Sequence, residues 1–222
     1  MFLSRIELRH GAAQNPAVWE QLASNYGIHE MIWSWFADSP DRRRDFLYRV
    51  DGTGARARLY TLSGREPRDP LEAWQIESKP FSPRLHDGDR LHFCVRANPS
   101  RRRASGPGAG RRHDVIMDAK VRLRAEGKNS PSEAELVQNE GFAWLSSRAA
   151  SHGFEVHPEF VRVDGYRQIS LRRREGSELR LSIVEFEGSL VVRNSALFTE
   201  TLRSGLGPAK GFGCGLILVK RG

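Results

Sequence analysis

The sequence predicts an α+β fold of two tandem ferredoxin-like (RRM-like) units. Two successive sets of apolar-alternating segments, each interrupted by an amphipathic helical stretch, carry that expectation. A length of 222 residues suits two small cores. A glycine-rich loop closes the second set, between a helix and a last strand. No internal repeat is visible, so the duplication is inferred from pattern alone.

The elements follow in order. "MFLSRIELRHGA" alternates from Phe2 to Leu8 and reads as a first strand, with no signal-peptide core. "NPAVWEQLASNYGIHEMIWSWF" (Asn15 to Phe36) reads as one helix, with Asn15 as N-cap and Pro16 in the first turn. "DFLYRV" and "ARLYTLS" are two strands around a turn at Asp51 to Gly54. "LEAWQIESKPF" is compatible with a short helix or an edge segment. "GDRLHFCVRANP" (Gly88 to Pro99) is a strand with Leu91, Phe93 and Val95 on one face, and it completes the first half. "RRRASGPGAGRRHD" (Arg101 to Asp114) has five arginines and no acid before Asp114, so it reads as a mobile basic loop.

The second half resumes with a helix over Ser132 to Gly153, expected to deform near Gly141. Residues 153–192 read as β segments with turn signals at Asp164-Gly165, Glu175-Gly176 and Glu187-Gly188. A short helix capped by Ser195, the glycine loop and a strand from Leu216 to Lys220 close the chain. The domain expectation is residues 1–99, a basic loop at 100–114, and residues 115–222.

Composition narrows the function. The net charge is +8 and arginine carries the excess. Arginine's planar fork suits phosphate and stacks on bases, so the charge points to a nucleic-acid partner. No apolar run approaches the ~20 residues of a membrane span. Cys94 and Cys214 form neither metal-ligand spacing nor a disulfide framework, and a cytoplasmic protein is the simplest reading.

The loop "SGLGPAKGFGCG" is neither a Walker P-loop nor a Rossmann fingerprint, because it follows a helix and precedes a strand. A helix-to-strand turn accounts for two of its five glycines. Close approach of an RNA backbone or a partner domain is one reason for the other three.

On these residues the chain resembles the CasE family, the repeat-specific CRISPR endoribonucleases of Cascade-type systems. The stretches that carry the likeness are "GLGPAKGFGCG", "MFLSRIEL", "DFLYRV", "LHFCVRANPSRRR", "GFAWLSSRAASHGF" and "VEFEGSLVV", in that family's order. The resemblance implies binding of the CRISPR repeat stem-loop RNA and cleavage at the 3′ base of the stem. It implies a metal-independent reaction without cofactor: a ribose 2′-hydroxyl attacks the adjacent phosphate, leaving a 2′,3′-cyclic phosphate and a 5′-hydroxyl. It implies the other subunits of the Cascade surveillance complex as partners of a chain that is monomeric when free.

Such chemistry needs a base, an acid and positive charge at the phosphorane. The family's Tyr-x-x-His pattern matches Tyr26-Gly27-Ile28-His29, which implies His29 as general acid or base and Tyr26 as its positioning partner. Gly27 is costly inside a helix and is read as a bend that presents His29. Lys210 is a candidate phosphate contact in the glycine loop, with Gly207, Gly211 and Gly213 beside it. Arg172, Arg173 and Arg174 sit at an expected hairpin tip suited to A-form RNA. Arg96, Arg101, Arg102 and Arg103 form a second basic group. Glu30, where a basic residue would suit RNA better, is the main departure. A non-catalytic RNA-binding subunit is the alternative. An enzyme of a small anionic metabolite has no use for two arginine clusters.

Overall fold

The computed structural model describes residues 1–37, 44–102, 110, 112–127, 131–172 and 178–222; the side chains of residues 25, 171, 172, 178 and 179 are outside that description. The chain separates into two compact units. One comprises Met1–Pro83, Ser170–Leu179 and Ala209–Leu216; the other comprises Arg84–Ile169, Arg180–Pro208 and Ile217–Gly222.

In the first unit, β1 (Phe2–Leu8), β2 (Phe46–Asp51), β3 (Arg58–Ser63) and β4 (Trp74–Pro80) form an antiparallel sheet in the order β2-β3-β1-β4. This is the ferredoxin-like strand order. The segment compatible with helix or edge strand is therefore the edge strand β4. The expected single helix is two, α1 (Pro16–Leu22) and α2 (Asn25–Ser34). Asn15 caps α1 by accepting from Ala17 N at 3.0 Å, with Pro16 next in line. Ser24 then leaves helical dihedrals (φ −145°, ψ 156°) and its hydroxyl accepts from Gly27 N at 2.9 Å, which starts α2. A Cβ on Gly27 would lie 2.6 Å from the Gln21 carbonyl oxygen, so glycine lets the two helices meet this closely. Val18, Met31, Ile32, Trp35 and Phe36 bury against Ile6, Phe46, Leu59 and Trp74. Phe36 stacks on Phe46 with ring centroids 4.4 Å apart.

In the second unit, β5 (Arg90–Ala97) lies between β10 (Ile217–Arg221) and β9 (Glu178–Val192), and β8 (Phe154–Arg172) forms the other edge. The order β10-β5-β9-β8 repeats the ferredoxin-like pattern. The strand read from sequence as closing the first half thus opens the second sheet, with Val95 paired to Phe186 and Ile217. β6 (Ser100–Arg102) and β7 (Arg112–Asp114) make a short ribbon inside the stretch read as a loop. α3 (Val115–Ala125), capped by Asp114, went unread because its face is narrow: Val115, Ile116 and Ala119 are buried while Val121 is exposed. α4 (Glu133–Ala149) begins with a capping box, Ser132 and Glu135, and runs without deformation through Gly141. There a Cβ would lie 2.5 Å from Val163 Cγ1, so Gly141 serves helix-to-sheet contact.

Two of the expected turns are continuous strand instead. β8 runs through Gly165 and β9 through Gly188, where a Cβ would lie 2.0 Å from the Phe160 carbonyl oxygen. Glu175-Gly176 falls outside the described residues. α5 (Ser195–Ser204) is capped by Asn194, one residue before the expected Ser195, through a 2.8 Å bond from Leu197 N. Among the described residues, no helix is long and apolar enough to cross a membrane.

Candidate functional site

The glycine loop answers its own composition first. Gly205, Gly207, Gly213 and Gly215 all have positive φ, so four of the five glycines have a conformational reason, not two. Gly207 also has contact behind it: a Cβ there would lie 3.0 Å from the Trp144 ring. Gly211 has ordinary φ, but a Cβ there would lie 3.1 Å from Arg44 Nη1 and 3.9 Å from His29 Cε1.

Residues 209–216 belong to the first unit, and there the loop meets α2 and β2. His29 Nδ1 lies 2.6 Å from the Gly211 carbonyl oxygen. The Tyr48 hydroxyl donates to the same oxygen at 2.9 Å. A carbonyl only accepts, so His29 Nδ1 carries a proton and Nε2 is the nitrogen with the free lone pair when the ring is neutral. The imidazole stacks on Phe212 (centroids 5.4 Å, planes 30° apart) and meets the edge of Trp33 at 6.1 Å. Tyr26, one turn earlier on α2, stands 6.2 Å from it. The sequence-predicted pair and the loop thus meet at one place.

Among the described residues, positive charge gathers at this site. His29 is held below its ordinary value, chiefly by burial, against the raising effect of the Gly211 hydrogen bond; Arg44 lowers it further and Glu30 opposes that. Lys210 is also depressed, by burial first and by Arg44 second. Arg44 itself is lowered by burial, with Tyr48 acting the other way. Two half-buried cations and an imidazole therefore share a space that resists further positive charge. An anion there would relieve all three.

Arg44, Tyr48 and Phe212 were not among the residues singled out from sequence. Tyr48 shares the inward face of β2 with Phe46 and is only 2 % exposed, and a buried tyrosine hydroxyl normally finds a partner.

The arginine candidates lie elsewhere. Arg96 donates to Glu185 across the β5–β9 ladder at 2.6 Å, with its side chain 14 % exposed, so its charge is matched within the sheet. Arg101 and Arg102 are exposed on β6, and Arg102 pairs in register with exposed Arg112. The ribbon is anchored below, where Trp144 Nε1 and Arg148 Nη2 donate to the Ser100 carbonyl at 3.1 and 3.2 Å. Gly213 has φ +77° and faces the Tyr48 ring. Arg103, Arg173 and Arg174 lie outside the described residues. Arg172 ends β8, and its side chain is outside them too. Among the described residues, no group of three His, Cys, Asp or Glu side chains is arranged to hold a metal ion.

Comparison with known proteins adds four likenesses. A family model described as "CRISPR associated protein" matches residues 1–221. The chain is 28 % identical over 197 residues to "CRISPR system Cascade subunit CasE" of Escherichia coli, covering 86 % of this chain and 89 % of the relative. It is 33 % identical over 151 residues to "CRISPR-associated endoribonuclease Cse3" of Thermus thermophilus, covering 64 % and 60 %. A solved structure described as "Structure A of CRISPR endoribonuclease Cse3 bound to 19 nt RNA" superimposes with a TM-score of 0.75 at 26 % identity, covering 99 % of this chain and all of that one.

Proposed function

The chain belongs to the CRISPR-associated protein family, and from that premise we propose that it is the endoribonuclease that binds the stem-loop of CRISPR repeat RNA. It cuts at the 3′ base of the stem and serves as a subunit of a Cascade complex. The endoribonuclease and Cascade names of its relatives support this reading. The observation that carries the chemistry is the His29–Gly211 hydrogen bond, which leaves Nε2 basic and aimed away from the loop carbonyl.

The cut proceeds by in-line attack. His29 Nε2 takes the proton of the 2′-hydroxyl, and its depressed proton affinity keeps it neutral and available near pH 7. The 2′-oxygen forms a bond to the adjacent phosphorus while the bond to the 5′-oxygen breaks. Arg44 and Lys210 stabilise the added negative charge of the phosphorane. Lys210, made more acidic by burial and by Arg44, supplies the proton that the leaving 5′-oxygen requires. Products are a 2′,3′-cyclic phosphate and a 5′-hydroxyl. Tyr26 positions the ribose beside His29.

Arg101 and Arg102, with Arg112, contact RNA phosphates from the ribbon. Arg103 and Arg172 to Arg174 supply further phosphate contacts. The protein works in the cytoplasm as a monomer until it joins its complex.

The test is a labelled repeat hairpin in EDTA beside a copy with a 2′-deoxy at the nucleotide before the cut. Cleavage of the first alone, lost in His29→Ala with binding retained, supports the reading. Tight binding of both without cleavage replaces it with a non-catalytic RNA-binding subunit.

A further inference from the structure

We propose that Tyr48 is a positioning residue for the cleavage reaction, acting through the Gly211 carbonyl on the tautomer and orientation of His29. This inference rests on the catalytic role of His29 given above and adds the device that sets it.

The argument starts from what could hold the imidazole still. α2 fixes the backbone of His29, and Phe212 and Trp33 restrict its ring plane. Neither contact distinguishes one ring nitrogen from the other, because stacking does not depend on which carries the proton. The hydrogen bond to Gly211 does.

The Gly211 carbonyl is itself insecurely placed by its own segment. It belongs to a single 3-10 turn, Lys210–Phe212, closed by one bond from Phe212 N to the Ala209 carbonyl at 2.9 Å. Left-handed residues flank that turn, Ala209 at φ 61° and Gly213 at φ 77°. A short turn between two such residues has little to stop the peptide plane from rotating.

Tyr48 supplies the missing constraint. It stands mid-strand on β2, paired with Thr61 on β3, and is buried. Its hydroxyl reaches Gly211 from the rigid sheet. A carbonyl has two acceptor sites, so the phenol and the imidazole bind it together. The strand therefore fixes the carbonyl, and the carbonyl fixes Nδ1–H on His29. The neutral ring is then obliged to present Nε2. The charged and titratable groups around the imidazole are Arg44 just before β2, Tyr48 on β2, Lys210 in the loop, and Glu30 and Tyr26 on α2, while Nδ1 itself is committed to Gly211.

The experiment uses Tyr48→Phe, which keeps the buried ring and removes only the hydroxyl. Protein labelled with nitrogen-15 at histidine reports the tautomer of each ring in the absence of RNA, and His29→Ala assigns the His29 signals. Wild type should show His29 with Nδ1 protonated and Nε2 basic. Tyr48→Phe should show a mixture of tautomers. Its single-turnover cleavage at saturating RNA should fall roughly ten- to a hundredfold, the scale of a catalytic group displaced by about 1 Å. Its pH midpoint should shift while the RNA Kd stays nearly constant. An unchanged His29 spectrum with an unchanged rate overturns the proposal. Cleavage that survives His29→Ala instead overturns the catalytic role of His29, a result the RNA-free spectra would not produce.

Discussion

His29 and Tyr48 donate to one acceptor, the Gly211 carbonyl oxygen, at 2.6 and 2.9 Å. They come from a helix and a strand, and the acceptor lies 182 residues beyond His29. The bond to this carbonyl puts a proton on Nδ1 and leaves the free lone pair of the neutral ring on Nε2.

The first expectation concerns pH. Burial and Arg44 hold His29 below its usual 6.5. A base acts in its unprotonated form, so single-turnover cleavage at sub-saturating RNA, which reports the free enzyme, should rise with pH through a midpoint below that value and level off near neutrality. A rate that falls across that interval would show the ring acting as an acid.

Arg44 should matter to rate more than to binding. Removing one preorganised donor to a developing oxyanion costs roughly 10²–10³ in rate. Arg44→Ala is expected to lose cleavage on that scale, measured at saturating RNA, with a much smaller change in Kd. An equal loss in both would make Arg44 a ground-state phosphate contact.

Gly213→Ala tests the loop geometry. A left-handed dihedral costs a residue with a side chain about 1–2 kcal/mol, and here the Cβ would also lie 3.2 Å from the Tyr48 ring. A chain of this size should lose about 2–4 °C in Tm per kcal/mol. Gly11→Ala is the control, since Gly11 has φ +84° with nothing within 4 Å. The larger Tm loss should be at Gly213, and only that variant should slow cleavage.

Gly27→Ala should disturb α2 from behind. The added Cβ meets the Gln21 carbonyl oxygen at 2.6 Å, so α2 must move and carry His29 with it. Overpacking of this kind costs about 1–3 kcal/mol. Thermal unfolding should report that loss, and cleavage at a temperature well below Tm should still be reduced.

The β6–β7 ribbon sets Arg102 opposite Arg112, a pairing of like charges that destabilises a free ribbon. Phosphates would relieve it. Replacing Arg101, Arg102 and Arg112 by alanine should weaken repeat-RNA binding at low salt. It should also flatten the slope of log K against log salt by about 0.7–0.9 for each phosphate that is no longer neutralised. An unchanged slope would remove the ribbon from the RNA interface.

Much of this was legible in the sequence because it is local. Asn15-Pro16 starts a helix whatever surrounds it, alternation from Phe2 to Leu8 specifies a half-buried strand, and Tyr26 to His29 falls within one helical turn. Period and capping are properties of neighbouring residues, so they survive without a fold. The resemblance to the CasE family added the chemistry expected of His29, which spacing alone did not contain.

Tertiary structure decided the rest. The strand Arg90–Ala97 alternates in the same way whichever sheet receives it, and only its pairing with β9 and β10 places it in the second. Ser24 suits either a helix interior or a boundary in the local pattern, and the close packing of α1 on α2 at Gly27 made it the boundary. Tyr48 reads as one more apolar-face residue of β2 until residues 209–216 return to the first unit and offer it a carbonyl. The choice of a hydrogen-bond partner across 163 residues depends on where the whole chain has already folded, and no local period records it.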